Sequence, residues 1–372
     1  MTVDTLELRD FKIHRSASLR FAGGLNYLVG GNGAGKTSIL EAIHYLCVGK
    51  GFSTTPDADN VRFGERAFDI QGDIDAAALH QTRVRYDAEE GKRRYFEDGK
   101  EIAKLADLFG KYPLVLLTPD DLALTHGYAT DRRRFFDAVL AQSSKTYLNV
   151  WTRYNRAAKQ RSALLSSLKE RFNPRLEDEL DAWSERIVED GVELIRRRRR
   201  FVEEFTPYVE RAYRETMLDE EQPSIAYRTF DVPDEALVDE FRRRLNEARE
   251  DERRRAQNLV GPHRDDYEFG AGGLPLRRFG SQGQHKTFQV ALRFAQFFFL
   301  KERLGRTPVF LLDDVFGELD KTRAARISAY LKRVGQAFVT LTDLADFSFL
   351  ETDENDRVVV VEKGAATAVS ER

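Results

Sequence analysis

The sequence predicts an α/β head whose two halves are separated by a mostly helical insertion. Three observations carry this. Leu25–Val29 is a short apolar strand, followed by a glycine-rich turn and by Thr37–Cys47 with apolar residues at helical spacing. From about Asp120 to about Arg255 the chain turns charged and helical, with Leu176–Met217 and Leu237–Ala256 as its longest periodic stretches. After Gly261 the α/β texture returns, with strands at Pro308–Leu312, Gln336–Leu341 and Arg357–Val361 and a helix at Thr322–Arg333. The expected division is therefore 1–118 for the first half of the head (lobe I), 119–256 for the helical lobe II, and 257–372 for the second half of the head.

Within the first half, Phe68–Ile74, Thr82–Tyr86, Arg93–Glu97 and Pro113–Leu117 read as strands, and Asp98-Gly99 as a tight turn. Within lobe II only Ser224–Thr229 is strand-like. The 372 residues suffice for two compact domains. Charged residues make up 33% of the chain, yet the net charge is only −3, so attraction to nucleic acid must come from a local patch. Cys47 is the single cysteine, which excludes an internal disulfide and a thiolate metal cage. The N-terminal segment has no basic stretch leading into an apolar run, and Phe294–Leu300 is far too short to span a bilayer. A cytoplasmic protein without membrane partners is expected.

The strongest motif is Gly30-Gly31-Asn32-Gly33-Ala34-Gly35-Lys36-Thr37, a P-loop between a strand and a helix. Its glycines let backbone N–H groups curl around a phosphate, and the helix that follows offers its positive end to the same anion. Lys36 is expected on the β- and γ-phosphates of ATP, and the Thr37 hydroxyl on Mg2+. A second acidic element, Val309–Leu312 followed by Asp313-Asp314, has the form of a Walker B strand. Asp313 is expected beside the Mg2+, through a water. Asp314 is expected to polarise the attacking water. No N-K-x-D motif accompanies it, which argues against GTP.

A third element, Ser281-Gln282-Gly283-Gln284, follows the strand-like Leu274–Phe279 and opens a long apolar helix from Phe288 to Leu304, with Ser281 as N-cap. It is similar to the signature sequence of ABC ATPases, and its position between P-loop and Walker B is that of ABC heads. That resemblance implies that Ser281 of one subunit meets the γ-phosphate held by another, so that Ser281 joins Lys36, Asp313 and Asp314 in catalysis. Gly317–Asp320 resembles the D-loop. Thr340–Asp343 stands where transporters carry a switch histidine. Gln71 is either a Q-loop residue or a polar strand position.

Three further stretches narrow the resemblance: Thr118–Leu122 with Asp131–Asp137, Gln160-Arg161-Ser162, and Gly261-Pro262-His263-Arg264-Asp265-Asp266. Together with the nucleotide motifs they resemble the RecF family of bacterial recombination-repair proteins over nearly the whole chain. Ala129 stands where that family usually has proline. Lys36 and Ser281 are 245 positions apart, too few for the long coiled-coil arm of SMC proteins. The resemblance implies a slow, DNA-stimulated ATPase that dimerises on ATP. It also implies binding to double-stranded and gapped DNA, and work with RecR and RecO to load RecA.

The alternatives from other classes are a transport-energising subunit and a nucleotide-switched scaffold without DNA specificity. Arginine runs at 132–134, 196–200, 242–244 and 253–255 suit either phosphate contact or a salt-bridged helix face. Arg132 and Arg133 also suit a structural tie between lobe and head. For His263 and Arg264, after a Gly-Pro turn, packing and a functional role both fit.

Overall fold

The computed structural model describes residues 1–171, 173–216, 221–318, 321–343 and 355–368. Contacts divide the chain into two compact units. The first holds 1–121, 211–220 and 290–372; the second holds 122–210 and 221–289. The second unit thus extends to Gln289, beyond the boundary expected at 256, and it carries the Ser281 turn. The cause is local. Strand Asp266–Ala271 pairs along its whole length with Pro223–Arg228, so the segment after Gly261 is held by the lobe that precedes it.

In chain order the first unit begins with β1 (Thr2–Val3), β2 (Thr5–Phe11), β3 (His14–Arg20), β4 (Leu25–Val29) and helix α1 (Lys36–Val48). It continues through β5 (Ala67–Asp75), β6 (Leu79–Asp87), β7 (Lys92–Glu97), β8 (Lys100–Glu101) and β9 (Leu114–Leu117). The second unit supplies helices α2 (Leu122–His126), α3 (Ala129–Ser143), α4 (Lys145–Glu170) and most of α5 (Pro174–Thr216). It adds β10 (Pro223–Arg228), α6 (Leu237–Arg255), β11 (Asp266–Ala271), β12 (Leu274–Pro275) and α7 (Leu276–Phe279). Helix α8 (Gln282–Leu304) begins in the second unit. The first unit then closes with β13 (Val309–Leu312), α9 (Lys321–Leu331), β14 (Ala337–Leu341), β15 (Arg357–Glu362) and β16 (Ala365–Ala368).

Two sheets build the first unit. One is antiparallel, in the order β3-β2-β5-β6-β7-β8 with β1 paired to β5. Its alternation, as in β5 with every second residue buried, follows from one face packing on the core. The other runs β16-β15-β4-β14-β13-β9 and is parallel from β15 to β9. β13 and β14 are buried at every residue, as strands covered on both faces must be. Parallel register sets the C-terminal ends of β4, β14 and β13 side by side, and it is these ends that carry the candidate site residues.

Helix α1 packs its apolar residues Ile39, Leu40, Ile43 and Leu46 into the core of this unit. The Asp98-Gly99 turn forms as expected, with φ of 50° and 76° at its two central residues. Gln71 lies in the middle of β5, opposite Glu7 and Arg83. Asp121, from the Thr118–Leu122 stretch, is buried and takes the Arg293 guanidinium through both carboxylate oxygens.

The stretch Leu274–Phe279, expected as a strand, is a two-residue strand followed by the single helical turn α7. Leu276 is buried while Leu274 and Phe279 are exposed, a spacing that alternation does not satisfy.

The second unit is organised around a buried arginine. Arg198 on α5 donates through Nε and Nη2 to the two oxygens of Asp137 at 3.0 and 2.9 Å, and through Nη1 to the Pro262 carbonyl at 2.7 Å. The Tyr147 hydroxyl donates to the same Asp137 at 2.5 Å. Nearby, Arg161 pairs with the buried Glu252 and donates to Asn258 at 2.8 Å. Arg132 grips Asp266 bidentately, and Arg133 donates to the Asp265 carbonyl. The two arginines thus tie together parts of the second unit itself. His263 accepts from the Tyr154 hydroxyl at Nδ1 and donates from Nε2 to the Asn258 carbonyl, and burial pushes its pKa down to about 4. Both ring nitrogens are thus engaged within the second unit.

Removing one member of a buried ion pair strands the other charge, at a cost of about 3–5 kcal/mol. Arg198→Met is expected to lower the stability of the second unit by that amount. Replacing both partners, as Arg198→Met with Asp137→Leu, should recover most of it. Urea titration read by hydrogen exchange in α3 and α5 measures both changes.

Candidate functional site

Gly30 to Gly35 form an irregular turn between β4 and α1. Two glycines there admit no other residue. A Cβ on Gly30 would lie 2.1 Å from the Val361 carbonyl oxygen of β15. Gly35 has φ of 113°, and its Cβ would lie 2.7 Å from Nε2 of His14. The turn is held from outside as well as by its own sequence. The Gly364 N–H donates to the Ala34 carbonyl at 3.0 Å, and the Gly30 N–H to the Leu341 carbonyl at 3.1 Å. The buried His14 ring sets Nε2 3.1 Å from the Gly35 carbonyl and Nδ1 2.7 Å from the Gly364 carbonyl. Gly31, Asn32 and Gly33 are exposed on this braced frame.

Helix α1 starts at Lys36 with no side-chain cap on its first amide groups and no acidic residue in its first turn. Its positive end therefore opens onto the turn, which suits an anion. Lys36 reaches back over the loop, donating from Nζ to the Gly30 carbonyl at 2.6 Å and the Gly31 carbonyl at 3.0 Å. Burial lowers its pKa, while the charges of Asp314 and Asp313 pull the other way.

The acidic half stands at the end of β13. Asp313 is buried, and its Oδ1 accepts from the Thr37 hydroxyl at 3.0 Å and from the Thr340 hydroxyl at 3.0 Å. Burial raises its pKa above the ordinary carboxylate range, against the pull of these two hydroxyls. Such a carboxylate lacks a full countercharge. One hydroxyl, one buried carboxylate and an adjacent phosphate cradle form the oxygen donor set that a hard cation such as Mg2+ takes. Asp314 is exposed, with φ of 49°, and its N–H donates to the Thr340 hydroxyl oxygen at 2.8 Å. Thr340 therefore fixes both acids at once. The sequence offered it only as the residue in place of a histidine; its role follows from β14 lying between β4 and β13. Leu319 and Asp320 of the D-loop resemblance lie outside the described residues.

The Ser281 turn belongs to the second unit. Ser281 caps α8 in a reciprocal box. Its Oγ accepts from the Gln284 N–H at 3.2 Å, and its own N–H donates to Gln284 Oε1 at 2.6 Å. Gln284 Nε2 in turn donates to the Glu221 carboxylate at 2.7 and 2.8 Å, a contact no sequence spacing announces. Ser281 and Gln282 are exposed, and Gly283 is half-buried. Behind them, His285 is buried against the ring of His126 at 3.5 Å between centroids; burial, and then His126, hold its pKa near 4.

Residues 2–367 match the family model described as the RecF/RecN/SMC N terminal domain. The chain is 39% identical over 379 residues to the DNA replication and repair protein RecF of Salinibacter ruber, covering 99% of this chain and 92% of that protein. It is 37% identical over 358 residues to RecF of Chloroherpeton thalassium, covering 94% and 96%. A solved structure of the recombination mediator protein RecF with ATP, in the RecFOR pathway, superposes with a TM-score of 0.89 at 25% identity, over 99% of this chain and 97% of that one. An Smc head domain from Pyrococcus furiosus shares the fold, with a TM-score of 0.57 at 16% identity. The phosphate-loop head, the inserted helical unit and full-length similarity to these relatives agree, and the chain belongs to the RecF family of DNA replication and repair proteins.

Proposed function

We propose that this protein is an ATP-dependent DNA-binding recombination-repair ATPase, closed into a dimer by ATP and opened by hydrolysis. The observation that carries the proposal is the meeting of Lys36, Thr37, Asp313, Asp314 and Thr340 around one braced loop. In this reading the backbone of Gly30–Gly35 and the N-terminus of α1 hold the β- and γ-phosphates of ATP. Lys36 leaves its two carbonyls for the phosphate oxygens. Thr37 and Asp313 would hold the Mg2+. Once bound there, the ion would supply charge neutralisation on the phosphates. Asp314, anchored at its backbone by Thr340, polarises the attacking water.

Ser281 completes the site from a second copy. Its Oγ already accepts the cap hydrogen bond, which leaves the hydroxyl proton to donate to a γ-phosphate, and the exposed start of α8 adds its positive end. ATP then favours the dimer by as much as it binds that state more tightly than the monomer. Through the RecF family, and through the pathway named for the solved relative, we infer binding to double-stranded and gapped DNA. The same route suggests DNA-stimulated, slow turnover and action with RecO and RecR in loading RecA.

Sedimentation with ATP, with ADP and without nucleotide tests the switch: a dimer is expected with ATP alone, and equal monomer fractions in all three would refute it. ATPase assays with and without gapped duplex are expected to show stimulation by DNA. A scaffold lacking DNA specificity would show none.

Asp314→Asn should keep ATP affinity, slow hydrolysis at least tenfold and prolong the dimer; unchanged turnover removes Asp314 as the base. Thr340→Val takes a hydrogen bond from each acid. At about 1 kcal/mol per bond, turnover should fall roughly tenfold or more, with ATP affinity less affected. Thr340→Ser should restore it.

A further inference from the structure

Most arginines of the runs that the sequence makes conspicuous are neutralised in the fold; Arg134 and Arg200 are exposed and have no ion pair among the described residues. Arg242 pairs with Glu185, Arg243 with Glu240 and Glu247, and Arg244 with Glu240. Arg253 pairs with Glu177 and Glu250, and Arg254 and Arg255 with Asp251. Arg197 and Arg199 pair with Glu193 and Asp234, and Arg198 is the buried hub of its unit. Helix α6 shows why: its seven arginines come with six carboxylates at helical spacing. Such faces have little charge left for a polyanion.

Helix α4 is built differently. Its 26 residues include six Lys or Arg and a single acid, Glu170, at the last position. The inner face buries Tyr147, Val150, Tyr154, Ala157, Arg161 and Leu165. At 100° per residue the opposite face carries Lys145, Asn149, Thr152, Arg156, Lys159 and Ala163 in one stripe, all exposed. Arg153 flanks the stripe and is paired with Asp190. Among the described residues no carboxylate lies within ion-pair distance of Lys145, Arg156 or Lys159. From Lys145 to Ser167 the stripe runs about 33 Å. It presents cations and small polar groups without a large apolar side chain, so it lacks the anchor that a protein partner would need. A phosphate backbone needs only spaced positive charge.

We propose that the exposed face of α4 is a docking surface for the phosphate backbone of duplex DNA, with Arg156 and Lys159 at its centre. The surface rests on the DNA-binding reading above and gives it a location, away from the arginine-rich segments of the sequence. Each neutralised phosphate contributes about −0.9 to the slope of log K against log salt.

The test is fluorescence anisotropy with a labelled duplex and ATP at 50–200 mM salt, on the full chain. Arg156→Ala with Lys159→Ala is expected to weaken binding and flatten the slope by about 1.8, the value for two contacts. Arg156→Lys with Lys159→Arg should keep the slope. Arg243→Ala with Arg254→Ala, drawn from the neutralised runs, should also keep it, and ATPase without DNA should be unchanged in all variants. If the wild type binds with a steep slope and the Ala pair at α4 leaves it intact, or if both Ala pairs flatten it equally, this surface is wrong while the DNA-binding function stands. If the wild type shows no salt-dependent DNA binding, the function fails first and the surface with it.

Discussion

One carboxylate oxygen joins three distant parts of the chain. Asp313 Oδ1 takes a hydrogen bond from Thr37, at the start of α1, and another from Thr340, in β14. Thr37 lies 276 positions and Thr340 27 positions from Asp313, and the three meet because β4, β14 and β13 are adjacent and parallel. Every other feature of the phosphate site depends on this alignment. The loop after β4 can stand over the acid only if β14 spaces the two strands, and Thr340 can serve both Asp313 and Asp314 only from that central strand. Burial raises the Asp313 pKa, and the frame holds its carboxylate against the Thr37 and Thr340 hydroxyls.

The second unit solves a different problem. It is rich in charge yet must form a core, and it does so by pairing its buried cations completely. Arg198, Arg161 and Arg132 each reach a carboxylate and further acceptors. Buried ion pairs add little net stability but strongly penalise alternatives that leave a charge unpaired. The motif residues Asp137, His263, Asp265 and Asp266 are used in this way, as packing and pairing groups. The surface reverses this economy of charge. Where acids accompany arginines, as on α6, the cations are paired; where they are missing, as on α4, Arg156 and Lys159 stand exposed without an ion pair among the described residues.

The Ser281 turn shows how a short motif acquires a fixed geometry. Ser281 and Gln284 cap each other, and Glu221 holds the Gln284 amide in the one orientation that lets its oxygen face the Ser281 N–H. An amide turned by half a rotation would set its oxygen against the carboxylate, so the order of the chain Glu221, Gln284, Ser281 is electrostatically defined.

Local patterns in the sequence determined the strand–loop–helix of the phosphate cradle, the acidic end of β13 and the long helices. The glycines, the apolar runs and the helical periodicity each act over a few residues, and that is the range within which propensity and patterning operate. Leu274–Phe279 failed as a strand because six residues are too few to separate alternation from one helical turn. Strand order, ion pairing and burial were decided only in three dimensions. Thr340 and Glu221 gain their roles from neighbours that no spacing links to them. Most arginines of the runs are paired because carboxylates from other turns and other helices, such as Glu185 and Glu177, fold against them. Long-range contacts of this kind are set by which elements pack together, and composition carries no record of that.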